Sequence, residues 1–298
     1  MSLHRTVLLQ ETIDGLNLSS KNPIVLDATF GGGGHSELLC RKYPGVRIIA
    51  LDQDKSALEK AKGKFVRINC DITFVSTNFR SLDEVLQKEG IKEVDGIIFD
   101  LGLSSDQLEN SRRGFSFMKD EPLLMTMKEN PRPEDITAFD VVNTWSEKSL
   151  ADIIYGYGEE KFGRKIARGI VETRAKKKIE NTFDLVKIIE ESVPEFYRKG
   201  RIHCATKTFQ AIRIAVNDEL SALSGGLAKG FNVLKHDGRM AVISFHSLED
   251  RIVKRFYKEK EKDGRTRLIN RKPITASIEE IRNNPRSRSA KLRILEKI

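Results

Sequence analysis

Residues 27–36 read Asp-Ala-Thr-Phe-Gly-Gly-Gly-Gly-His-Ser and follow directly on the apolar run Ile24-Val25-Leu26. Behind them come a helix-like segment, Glu37-Leu38-Leu39-Cys40, and a second apolar run, Ile48-Ile49-Ala50-Leu51, ending in Asp52. Strand, glycine loop, helix, strand, acid is the layout of a Rossmann-type nucleotide site. In such a site the glycines let backbone approach the ligand and the acid holds ribose hydroxyls. A dinucleotide site needs G-x-G-x-x-G, with a helix N-terminus facing the pyrophosphate. Here Asp27 sits at the strand end just before the glycines, where it would repel a phosphate. The pattern suits instead a cationic ligand carrying an ammonium and a sulfonium, which describes S-adenosylmethionine. A bare tight turn before a helix is the plainer reading of the glycines alone. Asp27 and Asp52, at their spacings, weigh against it.

At 298 residues the chain has room for one large domain, or for a core with a second smaller unit. With 39% hydrophobic and 32% charged residues it has the make-up of a soluble globular protein. A net charge of +9 favours polyanionic partners, nucleic acid first, over a merely basic enzyme. The three cysteines, Cys40, Cys70 and Cys204, are scattered, odd in number and without a C-x-x-C. That predicts a reducing compartment and argues against a disulfide frame or a zinc site. The five histidines also lack ligand spacing, so no metal is expected. The apolar run within Met1–Gln10 is too short for a signal peptide, and no segment is long enough to span a bilayer. A cytoplasmic protein with no membrane partner is expected.

The first hundred residues alternate strand-like and helix-like segments, which predicts a parallel sheet with helices on its faces. Strands are expected at 24–27, 47–51, 72–75 and 96–101, and helices at 56–64 and 82–89. Asp27, Asp52 and Asp100 would then stand at strand carboxyl ends, the edge where open α/β sheets bind ligands. Residues 110–135 show neither period and read as an ordered loop or lid. Residues 147–193 read as helical, and one helix carries Arg164, Lys165, Arg168 and Arg174. Such a face is either solvated or a nucleic-acid surface. The α/β rhythm returns near Thr206, with a buried strand at 239–245, a capping box at Ser247–Asp250 and a last strand at 291–294. The core is therefore expected to be split, residues 1–107 and 206–298 forming one part and residues 108–205 an inserted helical domain.

Several blocks carry a family resemblance. They are His4–Leu9, the Thr29–Ser36 loop, Asp100-Leu-Gly-Leu-Ser-Ser105 with Gln107-Leu108, and Arg113-Gly-Phe-Ser-Phe-Met118. Tyr157–Glu160, Thr208–Ile214, Ser244-Phe-His-Ser-Leu-Glu-Asp-Arg251 and Asn284–Ser289 continue it nearly end to end. On these the chain resembles the bacterial small-subunit ribosomal RNA (cytosine-N4) methyltransferases. The resemblance implies an α/β, Rossmann-like class I methyltransferase core with an inserted all-helical domain that contacts RNA. It implies S-adenosylmethionine as cofactor, ribosomal RNA or the small ribosomal subunit as partner, and leaves monomer or dimer open. Carried over by motif, the cofactor residues are Gly33, Gly34, His35, Asp52, Phe79, Asp100 and Gln107. Asp100 is also the candidate catalytic residue, holding either the cofactor's ammonium or the target amine. Arg113, Arg164, Lys165, Arg168, Arg286 and Arg288 are the candidates for gripping RNA.

The chain departs from the family in two places. Pro-Leu-Asp-Met-Arg-Met becomes Pro122-Leu-Leu-Met-Thr-Met127, and His-Pro-Ala-Thr-Arg becomes His203-Cys-Ala-Thr-Lys207. Both changes fall on the expected substrate side. Two rival readings stay open at this point: a methyltransferase with another acceptor, and a non-catalytic RNA-binding or assembly factor that keeps the cofactor pocket.

Overall fold

The computed structural model describes residues 6–298; His4 and Arg5, which open the His4–Leu9 block, lie outside them. The chain forms two units, Met1–Ser104 with Leu220–Ile298, and Ser105–Glu219. In chain order the first contains α1 (Leu9–Leu16), β1 (Ile24–Asp27), α2 (Gly34–Lys42), β2 (Arg47–Asp52), α3 (Lys55–Arg67), β3 (Asp71–Ser76), α4 (Leu82–Lys88) and β4 (Val94–Asp100). The second holds α5 (Ser105–Asn110), α6 (Ala138–Thr144), α7 (Glu147–Gly156), α8 (Gly163–Arg174), α9 (Thr182–Ser192), α10 (Glu195–Arg198) and α11 (Thr206–Asn217). The chain then returns to the first unit through α12 (Glu219–Val233), β5 (Leu234–Ser244), α13 (Ser247–Lys262), β6 (Thr266–Leu268), α14 (Ile278–Asn283) and β7 (Lys291–Lys297). No described helix is long and apolar enough to cross a membrane.

The seven strands run in the order β3-β2-β1-β4-β5-β7-β6. β1 to β5 are parallel, and β7 lies antiparallel between β5 and β6. Parallel strands covered on both faces read as continuous aliphatic runs, because alternate side chains enter two separate cores. Leu26, Ile49, Ile97 and Val242 face one core with α4, α12 and α13. Their chain neighbours Val25, Ile48, Ile98 and Ala241 face the other, with α1, α2 and α3. The strand order reverses between β1 and β4, so the crevice at their carboxyl ends is the topological switch point where such sheets bind ligands.

The expected strands coincide with β1 to β4, β5 and β7 to within a few residues. Three expectations need correction. The second unit ends at Glu219 rather than 205, because α11 packs on α6 and α7. The capping box on α13 is His246 with Glu249, one residue earlier than expected: the imidazole accepts from Glu249 N and the carboxylate from His246 N. Cys40 and Cys70 are joined in a disulfide, against the expectation of none, because the last turn of α2 and the entry to β3 bring their Cα atoms to 5.7 Å. Helix α1 had no counterpart in the sequence reading; it buries Thr12, Ile13 and Leu16.

Candidate active site

The loop between β1 and α2 takes a shape that needs glycine. Gly31 and Gly33 have φ of 52° and 69°, in the left-handed region that L-residues avoid. A Cβ on Gly33 would run into the Phe30 ring, and one on Gly34 into the Thr6 side chain. Phe30 is itself locked between Phe65 and Phe74, with ring centroids 5.6 and 5.2 Å away. Helix α2 starts at Gly34 with no side-chain cap from Gly33, so its N-terminus faces the loop.

The three strand-end aspartates divide the work. Asp27 is buried and accepts hydrogen bonds from Ser36 Oγ at 2.6 Å and from Thr29 N at 3.3 Å. Its role is to brace the loop rather than to meet a cation, as the sequence suggested. Burial pushes it up to about 6 despite those two donors. Asp52 is half-buried and accepts from Gly31 N (2.7 Å) and Asp54 N (2.8 Å), which orients its carboxylate at the end of β2. Thr29 links the ends of β1 and β4, its hydroxyl accepting from Asp100 N at 2.6 Å.

Asp100 is the unusual group. One oxygen, Oδ2, stands 3.7 Å from Nδ1 of buried His35, while Oδ1 is sealed from solvent without a hydrogen-bond partner among the described residues. The side chain as a whole keeps 25% of its surface, so the carboxyl is open on one side only. Burial first, then the charges of Asp27 and Glu249, push its pKa up to about 8. A carboxyl held in that condition favours a cation or a polar N–H group as its partner.

Of the candidate cofactor residues, Gly33, Gly34 and His35 lie in this loop and the first turn of α2, Asp52 accepts from the loop at Gly31 N, and Asp100 stands 3.7 Å from His35. Phe79 lies in a short helical turn, 79–81, past β3, edge-on to Phe99 at 5.5 Å and tight against Gly226. Gln107 is buried on α5 of the second unit. Thr29, Ser36 and Glu249 were not singled out beforehand. The first two lay inside the quoted loop, and Glu249 within the Ser244–Arg251 block, but nothing in the sequence says that their side chains turn inward.

Among the RNA candidates, Arg164, Lys165 and Arg168 are exposed on α8, Arg288 is exposed and Arg286 half-buried. Arg113 is a correction. It is only 5% exposed, its guanidinium donates to Thr126 O and Met127 O, and so it has no face to offer a phosphate. The same bonds, with Asn217 bridging Met125 O and Met127 N, pin the altered 122–127 segment and bury Thr126 where the family carries arginine.

A parallel sheet reversing at β1/β4, a glycine loop after β1 and acids closing β2 and β4 together define a methyltransferase of the Rossmann-like class. The chain belongs to the MraW methylase family, whose family model matches residues 1–298. It is 47% identical over 295 residues to the "Ribosomal RNA small subunit methyltransferase H" of Persephonella marina, covering 99% of each chain. It is 43% identical over 311 residues to the protein of the same name from Brevibacillus brevis, covering 99% of this chain and 98% of that one. A solved structure described as a putative rRNA-methylase from Clostridium thermocellum aligns with a TM-score of 0.49 at 13% identity, over 99% of this chain and 100% of that one.

Proposed function

We propose that this methylase transfers the methyl group of S-adenosylmethionine to the exocyclic N4 of a cytidine in small-subunit ribosomal RNA. The observation that carries the reading is Asp100, a one-sided carboxyl at the switch point of the sheet whose sealed oxygen has no partner among the described residues. The names of the two relatives support the choice of acceptor.

The residues fit the cofactor. Backbone at Gly33 and Gly34 can approach the methionine moiety because neither residue carries a Cβ. Asp52, held at the end of β2 by Gly31 N and Asp54 N, stands where a carboxylate can accept from ribose hydroxyls. Phe79 offers a ring for adenine. When bound, the cofactor supplies an electrophilic methyl on a sulfonium. The acceptor nitrogen is a poor nucleophile, since its lone pair is delocalised into the base. Holding it about 3 Å from the methyl carbon, in line with the sulfur, supplies much of the acceleration. Asp100 holds either the cofactor's ammonium or the N4 hydrogens, and in the second role it stabilises charge growing on nitrogen. The base has to leave its stack to reach this crevice, so a loop or open strand is the expected target.

The test uses methyl-labelled S-adenosylmethionine with small subunits that lack their native base methylations, followed by digestion and nucleoside analysis. Label in N4-methylcytidine is the expected result. Label in another nucleoside would replace the acceptor, and cofactor binding without any label would favour a binding-only role.

A further inference from the structure

The insert, the expected source of basic surface, is electrically balanced. Residues 105–219 hold 20 Lys and Arg against 20 Asp and Glu, whereas residues 220–298 hold 19 against 9. Much of that surplus falls on one face of α13. At roughly 100° per residue, Arg251, Lys254, Arg255, Lys258 and Lys262 share one side of the helix, and all five are exposed. The acids of α13 are used elsewhere or stand aside. Glu249 closes the cap, and Asp250 is held by Arg293 at 2.7 Å and Lys291 at 3.4 Å. Glu259 and Glu261 fall on the flanks of the stripe, Glu259 beside Lys260. Among the described residues, Lys254, Arg255, Lys258 and Lys262 enter no ion pair. Like charges three and four residues apart cost a helix a few tenths of a kcal/mol each, and among the described residues those four have no acidic partner to offset that cost.

We infer that this face of α13 docks the phosphate backbone of the ribosomal RNA, a step that rests on the acceptor proposed above. The stripe starts just past Glu249, whose charge acts on Asp100, and runs roughly 16 Å down the helix, with neighbouring side chains about 5–6 Å apart. A row of point charges at that pitch suits successive phosphates and carries no sequence information, so it sets position rather than base choice. A membrane is the weaker partner, because the apolar side of α13 is already taken. Leu248, Val253 and Tyr257 are buried in the core, and Tyr257 Oη donates to Met240 O at 3.0 Å. No apolar face remains to enter a bilayer.

The test compares K254Q/K258Q/K262Q with K21Q/K88Q/K92Q, which removes the same charge from exposed sites elsewhere on the unit. Binding to small-subunit RNA is measured across a salt series, with methyl transfer and cofactor binding read in parallel. In the α13 variant the slope of log K against log salt should shrink by about 2–3 and RNA affinity fall roughly tenfold or more. The control should lose far less, and cofactor affinity should be unchanged in both. Equal salt slopes in the two variants would overturn the docking surface. So would binding to phosphatidylserine vesicles, or to an acidic protein, that depends on these lysines while RNA binding does not. If the triple variant fails to fold, the pair K254Q/K258Q makes the same comparison with a slope change of about 1.5–2. Absence of N4-methylcytidine in wild type would remove the proposed acceptor, while the salt series would still decide the surface.

Discussion

The Asp100 carboxyl faces His35 Nδ1 at 3.7 Å through one oxygen and keeps the other buried, with no partner among the described residues. The raised pKa of about 8 makes this a stability term with a definite sign. Unfolded, the group titrates near 4, so between about pH 4 and 8 the folded chain binds a proton that the unfolded chain does not. Its contribution to stability therefore declines as pH rises through that window. Asp100→Asn keeps the shape and cannot ionise. Its melting temperature should match wild type near pH 4 and exceed it by a few degrees at pH 8, read by calorimetry. Equal melting temperatures across the range would show that the carboxyl does not titrate in this way.

The same group should couple cofactor binding to protons. If Asp100 receives the ammonium it must ionise, so binding at pH 7 should release close to one proton and tighten as pH rises toward about 8. Titration calorimetry in buffers of different ionisation enthalpy measures that release. Asp100→Asn should release none and bind at least tenfold more weakly, as expected for a lost charge-assisted bond. Binding to wild type without buffer dependence would move Asp100 away from the ammonium and toward the target amine.

Much of this site could be read in advance because its parts are backbone features. β1, β2 and β4 are largely apolar runs that end in acids, and Gly31 and Gly33 of the loop sit where φ turns positive. What escaped was the direction of polar side chains. Asp27 looks the same in sequence whether it points at a ligand or at Ser36. Arg113, in a stretch with no period, reads as surface, yet carbonyls of residues thirteen and fourteen positions on bury it. Helix α11 shows an apolar face at Phe209 and Ile212 without saying which unit covers it. The capping box was displaced because His246 is an uncommon N-cap.

The loop brace predicts a pH-dependent penalty. Ser36→Ala removes the hydroxyl that donates to buried Asp27 and should cost about 1–3 kcal/mol while that carboxylate is ionised. Asp27 titrates at about 6, so the loss should be larger at pH 7.5 than at pH 5, where the protonated acid no longer needs the donor. Gly33→Ala should cost about 1–3 kcal/mol at either pH, from the left-handed backbone and the Phe30 ring. Denaturant melts at the two pH values separate the cases.

The Cys40–Cys70 bond closes a loop over 30 positions that contains β2 and α3. Cross-linking a loop of that length stabilises by about 3–4 kcal/mol in the chain-entropy account. Reduction, or Cys40→Ser with Cys70→Ser, should lower the melting temperature of the sheet unit and leave buried Cys204 unmodified. Thiol titration of the native chain checks the bond directly. One reactive group appearing on unfolding agrees with the structure, and three would remove the disulfide.

Arg113 separates a structural arginine from an RNA contact. Its guanidinium donates to Met127 O at 2.8 Å and Thr126 O at 3.1 Å, and its plane lies over Phe115 with 5.4 Å to the ring centroid. Arg113→Ala removes a donor from the Thr126 and Met127 carbonyls and opens space beneath the ring, which together should cost about 2–4 kcal/mol. Arg113→Lys keeps the charge but loses the planar fork, and should recover only part of that. Neither change touches a phosphate, so the salt slope of RNA binding should stay at the wild-type value in any sample that remains folded. The two quantities are read on the same protein, by a denaturant melt and by a salt series. A normal melt with a slope reduced by about 1 would return Arg113 to the RNA surface.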